Sequence, residues 1–533
     1  MPSDAAPLYA RLEERILARD QIGASGALYD LLRAGEKQNA IIAAAVRIHA
    51  PYTHVPYHER IDDGYVNFVN NDHCLLSARA TVNLARLLPG KTGLLPLAQT
   101  IWYIPSGLDI WNQKIGRAPG HYTRGFKGSI ENPPTPMVYW PDQAPRALSG
   151  ALEQRLEEWL TLVHRGQVLD AYRVFLGLME NPAEQRRVLA ELVFAGLIDV
   201  QDRLLYNRSF TTGHKAYRAR ATVEIGDALG WANAHDVLYA GALDIAVGPR
   251  WYSTYEMACN AIKQFIEGEA LHAVPYGGVS DAERALLGQT GTLDPAEAAM
   301  LTEAMIRAPE PAYIGALTQL LKAGKSPRRI LDTIQVASAR VVLETHGTTN
   351  FSGPHHCYEY CNTLGWFFDH FDHPRRVRLL YVAAAFLNRV ADHQRGIEDL
   401  SRARIKAPAG ADRLSADELL TRVDAATCAL AAEESVAWTQ AYLENVTDRA
   451  PLVRCLALAA CKLGNDPHNQ EIAQCMLMDY AINQSPDRDL LLLACAWHTA
   501  LHRKYGDPLE AARRFGAALE IPELSGPHMV FAH

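Results

Sequence analysis

The stretch ALEQRLEEWLTLVHRGQVLDAYRVFLGLM, residues 151–179, sets apolar side chains three and four positions apart with charges between them. That spacing coats one face of a helix of 3.6 residues per turn with hydrocarbon and leaves the other face to water. The same pattern returns in AEQRRVLAELVFAGLI (183–198), and alternating runs of β-branched residues are scarce throughout. The chain is therefore expected to be all-α and multi-helical.

Breaks in the pattern divide it. NPPTPMVYWPDQAP (132–145) is too rich in proline for a helix and marks a long loop or boundary. KAPAGADRLSADE (406–418) holds a proline, a glycine and then Ser415 with Glu418 three positions on, the start signal of a capped helix. Two parts follow: a large helical domain over 1–405 with a cavity lined by histidine and aromatic side chains, and a C-terminal helical domain over 406–533, with four or five helices up to about 521. A weak internal echo joins the segments opening at His73-Cys74 and His356-Cys357, each a helix, a short break and an apolar helix, with GPRWYSTYEMACNAIKQF (248–265) as a third copy. Repeated helix pairs fit that echo.

With 533 residues, 48% of them hydrophobic, the chain has ample material for a packed interior. A net charge of −8 argues against a nucleic-acid or anionic-membrane surface as the main partner. Nine cysteines, an odd number without a CxxC pair, fit reduced thiols. MPSDAAPLYARLEERILARD lacks the apolar run of a signal peptide, and no segment approaches the ~18 apolar residues of a membrane span. A cytoplasmic location is expected.

Chemistry concentrates in two places. THGTTNFSGPHHCYEYC (345–361) packs three histidines, two cysteines and two tyrosines around a Gly-Pro break, and HAPYTHVPYHER (49–60) adds three more histidines. Nine of the 20 histidines lie within 49–73 and 346–373, about a tenth of the chain. Imidazoles converging from several helices would bind Fe, Cu, Mn or Zn, and His49, His54, His58, His73, His355 and His356 are the expected ligands. Glu59, Asp62, Asp63, Asp72 and Glu359 are the acidic neighbours available to complete or orient such a set. The competing structural account is that histidines at helix ends cap carbonyls and aromatic loops pack on cores. For catalysis the candidates are His356, His346, Tyr358 and Tyr52, with Tyr360 a further substrate contact.

Familiar signatures are missing. HExxH is absent, and ExxH occurs once, at Glu269–His272, where a ferritin-like di-iron bundle needs two. GxSxG, Walker and GxGxxG patterns are also absent. Cys357 beside two histidines is a candidate thiolate, weighed against a buried small hydrophobe. GRAPGHYTRGFKG (116–128) offers Arg117, Arg124 and Lys127 for an anion or, more simply, forms a solvated basic turn. Cys495, His498 and His502 fall on one face of a helix that is ending, where histidines favour the helix dipole.

Two segments carry a family resemblance. GHKAYRARATVEIGDALGWANAHDVLYAGALDIAVG (213–248), a His-Lys helix leading to a Gly-Trp turn, and the later THGTTNFSGPHHCYEYCNTLGWFFDHFDHPRRVRLLYVAAAFL resemble the questin oxidase-like family over roughly 40–400. The resemblance implies a helical enzyme that oxidises a polycyclic aromatic ketone by oxygen insertion without a bound flavin, or a bacterial relative, some of which are joined to a Rieske domain. No Rieske Cys-x-His pair occurs here, so electrons would come from a separate donor. His214, Trp231, His235, His346, His356 and Asn362 match the family pattern. The expected function is an oxidoreductase, a questin oxidase-like and metal-dependent oxygenase for a small hydrophobic or aromatic substrate, with a separate electron donor and a homodimer as expected partners. The alternatives are a helical-repeat scaffold without catalysis, and a metal-dependent hydrolase or isomerase using the same histidines.

Overall fold

In the computed structural model the described residues are 5–49, 58–61, 64–67, 73–111, 143–200, 213–232, 242, 245, 253–268, 278–345, 352–394, 405–501 and 507–525. About three quarters of them are helical, so the all-α expectation holds. Three N-terminal helices, α1 (Ala6–Leu17), α2 (Gln21–Arg33) and α3 (Gln38–His49), precede a two-stranded antiparallel hairpin, β1 (His58–Ile61) and β2 (Gly64–Asn67). Then come α4 (Cys74–Leu84) and α5 (Leu95–Trp111), α6 (Leu152–His164) and α7 (Val168–Met179), and α8 (Gln185–Leu197) and α9 (His214–Leu229). The middle of the chain supplies α10 (Ser253–Ala261), α11 (Asp281–Leu286), α12 (Pro295–Ile306), α13 (Pro311–Lys322), α14 (Pro327–Leu343), α15 (Gly353–His370) and α16 (Arg378–His393). After the break at 405–415 follow α17 (Ala416–Cys428), α18 (Ala432–Asn445), α19 (Ala450–Lys462), α20 (Pro467–Ile482), α21 (Asp489–Ala500), α22 (Glu510–Leu519) and the short α23 (Pro522–Ser525).

The opening stretch behaves as its spacing requires. In α6, Leu156, Trp159, Leu160 and Val163 are buried while Glu153, Gln154, Glu157 and Glu158 are exposed or half-buried. Gly166 adopts a left-handed conformation (φ 67°) that lets its N–H reach Val163 O and that of Gln167 reach Leu162 O, which ends the helix. Trp159 Nε1 donates to Ala171 O on α7 at 3.1 Å and pins the pair together. The start of α17 likewise matches: Ser415 Oγ accepts from Glu418 N, and Glu418 Oε2 accepts from Ser415 N at 2.8 Å.

Packing runs across the break near 406. One hydrophobic core extends from Ala5 to Leu524, and α20, from the C-terminal part of the chain, packs against α4, α5, α15, α19 and α21. The four or five helices expected there are six and a short seventh. At the centre stand four helices, α4, α9, α15 and α20, where α4 touches α9 and α20, and α15 touches the same two. Each of the four is buried over most or all of its length. Close approach brings α9 into the core: a Cβ on Gly196 of α8 would stand 2.7 Å from Ala216 Cα. No helix among the described residues is long and apolar enough to cross a membrane.

Candidate functional site

A helix buried on every side should be apolar, because each polar group taken out of water must find a partner or costs about 1–3 kcal/mol. The four central helices break that rule. They bury His73, Ser77 and Arg79 from α4 and its N-cap; His214, Lys215 and Arg220 from α9; His355, His356, Glu359 and Asn362 from α15; and His468, Asn469, Glu471 and Asp479 from α20. Local rules broken in one place mark a functional or strained site.

The helices enter the centre pointing the same way, and a histidine stands at or near the start of each. His73 is the N-cap of α4, His214 the first residue of α9, His356 lies in the first turn of α15 and His468 in that of α20. Their rings close a quadrilateral: centroids lie 5.3 Å apart from His73 to His214, 5.0 Å from His214 to His356, 5.6 Å from His356 to His468 and 4.4 Å from His468 to His73. Hydrogen bonds orient three of the rings. His73 Nδ1 lies 2.6 Å from Glu471 Oε2, His468 Nδ1 lies 2.8 Å from Asp466 Oδ1, and His356 Nδ1 donates to Ser352 O at 3.0 Å. A donating Nδ1–H leaves the lone pair of a neutral imidazole on Nε2. Burial, then the neighbouring imidazoles, hold His214 neutral, and burial pushes His356 down to about 3.

One turn deeper lies a layer of acids and guanidinium groups. Ser77 Oγ donates to Glu471 Oε1 at 3.0 Å. Arg79 Nη2 reaches Glu359 Oε1 at 3.4 Å and Cys475 Sγ at 3.5 Å, and its Nε stands 3.8 Å from Glu224. Arg220 donates to Glu224 at 3.0 Å and to Asn362 Oδ1, with its guanidinium over the Trp366 ring. Asn362 Nδ2 and Tyr358 Oη then meet Asp479 at 2.8 and 2.7 Å. Burial raises Glu359 and Glu471 to about 8 and Asp479 to about 6, against the pull of the nearby arginines. Burial thus disfavours the charged form of Glu359 and Glu471.

The residues singled out by the sequence divide. His73 and His356 are in the quadrilateral. His355 is not: it turns toward His498, with ring centroids 5.1 Å apart, and its Nδ1 meets Ser352 Oγ at 2.7 Å. His49 is buried at the end of α3, a helix that packs on α4, α5 and α9. Only the backbone of His58 is described, on β1, while Tyr52, His54, His235 and His346 lie outside the described residues. Tyr358 and Tyr360 hold helices together: one donates to Asp479, the other to Leu197 O at 2.8 Å. The hydrogen bond to Cys357 pushes the Cys361 thiol well up, as does burial, and both cysteines are wholly buried, as small hydrophobes are.

Two members were missed. In the sequence His214 stands out only as a family match, and His468 does not stand out at all. Each opens a helix whose polar residues are spread around the axis, and that loss of amphipathicity in HNQEIAQCMLMD (468–479) was the available signal. His498 was expected to serve its own helix end; its Nε2 instead donates to His468 O at 2.9 Å, tying α21 to the first turn of α20.

Among the described residues no group of three or more His, Cys, Asp or Glu side chains is arranged as a ready-made metal site. The spacing still bears on a metal: imidazoles bound to one ion at about 2.1 Å have ring centroids roughly 4.5–5.5 Å apart, close to the 4.4–5.6 Å measured around the quadrilateral. No family model, curated protein or solved structure matches this chain.

Proposed function

We propose that this protein is a metal-dependent oxidoreductase acting on a small hydrophobic or aromatic substrate, with His73, His214, His356 and His468 as the ligands of one ion. The observation that carries this is the closed quadrilateral of four imidazoles at the starts of four buried helices. Burying polar groups in a protein interior is costly, and nothing about packing alone calls for four histidines in one layer. Neutral imidazole donors suit Fe, Cu or Zn, so Mn, with its preference for oxygen donors, ranks last of the four metals expected.

A redox-active ion held there would supply activation of dioxygen or direct oxidation of the substrate. The chain's own residues supply the rest. Asp466 and the Ser352 carbonyl fix the ring orientations of His468 and His356, and Glu471 does so for His73. The surrounding helices keep bulk water out. This account agrees with the resemblance to the questin oxidase-like family, which rests on the sequence motifs alone. The free cysteines favour a reducing, cytoplasmic setting, and electrons would come from a separate donor.

The test is the metal content of protein purified without a histidine tag, together with its visible spectrum. About one equivalent of Fe or Cu per chain, lost in His214→Ala and His468→Ala variants that keep their helical circular dichroism, is the expected result. Stoichiometric Zn with no visible band would turn the assignment to a hydrolase or isomerase on the same histidines. Metal that stays bound in both variants would remove the quadrilateral from the mechanism.

A further inference from the structure

Four imidazoles from four helices keep one layer only if those helices are tied to one another at that level, and the edges of the quadrilateral show how. Between α20 and α4 the edge of 4.4 Å is held by Glu471 on His73. Between α9 and α15 the edge of 5.0 Å is held by Tyr217, whose Oη donates to His356 O at 2.5 Å. The widest edge, 5.6 Å from His356 on α15 to His468 on α20, is spanned from outside, by two histidines that stand next to the quadrilateral without joining it.

His355 and His498 are both wholly buried, and their rings meet with centroids 5.1 Å apart, tilted by 49°. Each is also linked to one of the inner pair. On the α15 side Ser352 is the shared hold: its carbonyl accepts from the backbone N–H of His356 at 3.2 Å and from His356 Nδ1 at 3.0 Å, while its hydroxyl meets His355 Nδ1 at 2.7 Å. On the α20 side His498 Nε2 donates to His468 O at 2.9 Å. That carbonyl lies in the first turn of α20, where the helix ladder supplies its usual donor, and a carbonyl oxygen has a second lone pair. The bond from His498 is therefore not needed to satisfy the backbone. Nor does filling space call for it. α21 packs on α14 and α20, and a phenyl ring at 498 would fill a similar space without burying two ring nitrogens.

We propose that His355 and His498 are positioning residues, an outer pair that sets the distance and tilt between His356 and His468. The path runs from His468 O through His498 and His355 to Ser352 and so to the His356 ring. The inference deepens the reading of the quadrilateral as a metal site, because partners that orient ligand imidazoles contribute about ten- to hundredfold in metal affinity. The brace itself is a property of the metal-free rings, so it can be tested apart from that reading.

The test compares His498→Phe, which keeps a ring and loses the donor, with His498→Gln, whose amide can donate to the same carbonyl. Cobalt(II) affinity is measured by competition with a chelator. Ring geometry is followed in the metal-free full chain by NMR of the imidazole nitrogens, with the His356 and His468 signals identified by their loss in His356→Ala and His468→Ala. The expected result is cobalt binding weakened about ten- to hundredfold in His498→Phe and largely restored in His498→Gln, with the His356 signal displaced in the first and returned in the second. Adding His355→Phe to His498→Phe should cost little more, since the pair acts as one unit. Ser352→Ala, which removes the hydroxyl and keeps the carbonyl, reads the same path from its other end and should displace the His468 signal even if His498→Phe does not fold. Unmoved signals, a His498→Gln variant no better than His498→Phe, or losses at 355 and 498 that simply add would each overturn the proposal. Cobalt bound as tightly by His498→Phe as by the unaltered protein would also overturn it, while leaving the metal assignment intact. Signals that move in a protein that takes up no cobalt would sustain the brace and sink the metal assignment.

Discussion

Helices α6 and α9 lie close in the chain and are built on opposite rules. In α6 every charged side chain faces outward and the buried face is Leu156, Trp159, Leu160 and Val163. In α9 the buried face includes His214, Lys215, Arg218 and Arg220. The outer helix is held by hydrocarbon, and its partners are interchangeable with others of similar volume. The inner helix is held by specific pairs, Lys215 with Asp199 and Arg220 with Glu224 and Asn362, each of which fails if one partner is lost. The difference teaches that burial alone does not define a core: one region excludes water with hydrocarbon, the other buries polar groups that must be paired with one another.

That contrast is open to direct attack. The largest effect is expected at the fully buried Lys215–Asp199 pair. Lys215→Ala strands a buried carboxylate and should lower unfolding free energy by about 4 kcal/mol in urea titrations, whereas the double change Lys215→Met with Asp199→Leu should recover most of it. A double variant as unstable as the single one would show that the inner helices do not depend on pairing. In the outer region Trp159→Ala should cost about 3 kcal/mol through the cavity it leaves, and Trp159→Phe much less, because volume dominates there. A large loss in Trp159→Phe would instead assign the stability to the hydrogen bond with Ala171 O.

A pH titration sharpens the contrast further. Glu359 keeps its proton in the folded state up to about 8, while in the unfolded chain it ionises near 4.3. As pH rises between those values the unfolded state releases a proton that the folded state retains, so stability falls, by at most about 1.4 kcal/mol per pH unit for one such group. Glu359→Gln should flatten this alkaline limb in thermal melts between pH 5 and pH 8 while leaving the acid side unchanged. On that acid side, His214 and His356 stay neutral in the fold, so protonation of the unfolded chain below about 6.5 should destabilise the protein as pH falls. The smallest effect is at the outer rim. Ser415→Ala removes one side of the capping box of α17 and should cost about 1 kcal/mol in the same urea titrations.

Much of the helical architecture was legible because its cause is local. Apolar spacing in 151–198 and the Ser415–Glu418 box act within a few residues of themselves, and both elements form as written. His73 and His356 were legible as candidates through histidine enrichment. His468 was not: it stands alone in its segment, and its meaning comes from rings contributed by helices about 110 to 400 residues away in sequence. His355 shows the converse. Its neighbour in sequence joins the quadrilateral, but one step along a helix is a turn of about 100°, and that rotation carries His355 to His498 instead.

The amino-acid sequence by itself determined the fold class and the helix boundaries at its capped starts, since backbone hydrogen bonding and side-chain spacing are settled over a turn or two. Only the tertiary structure decided which histidines meet. Four helix starts separated by more than a hundred residues each come together because α4, α9, α15 and α20 bury one another in a common direction, and the direction of a buried helix follows from its neighbours and not from its own residues.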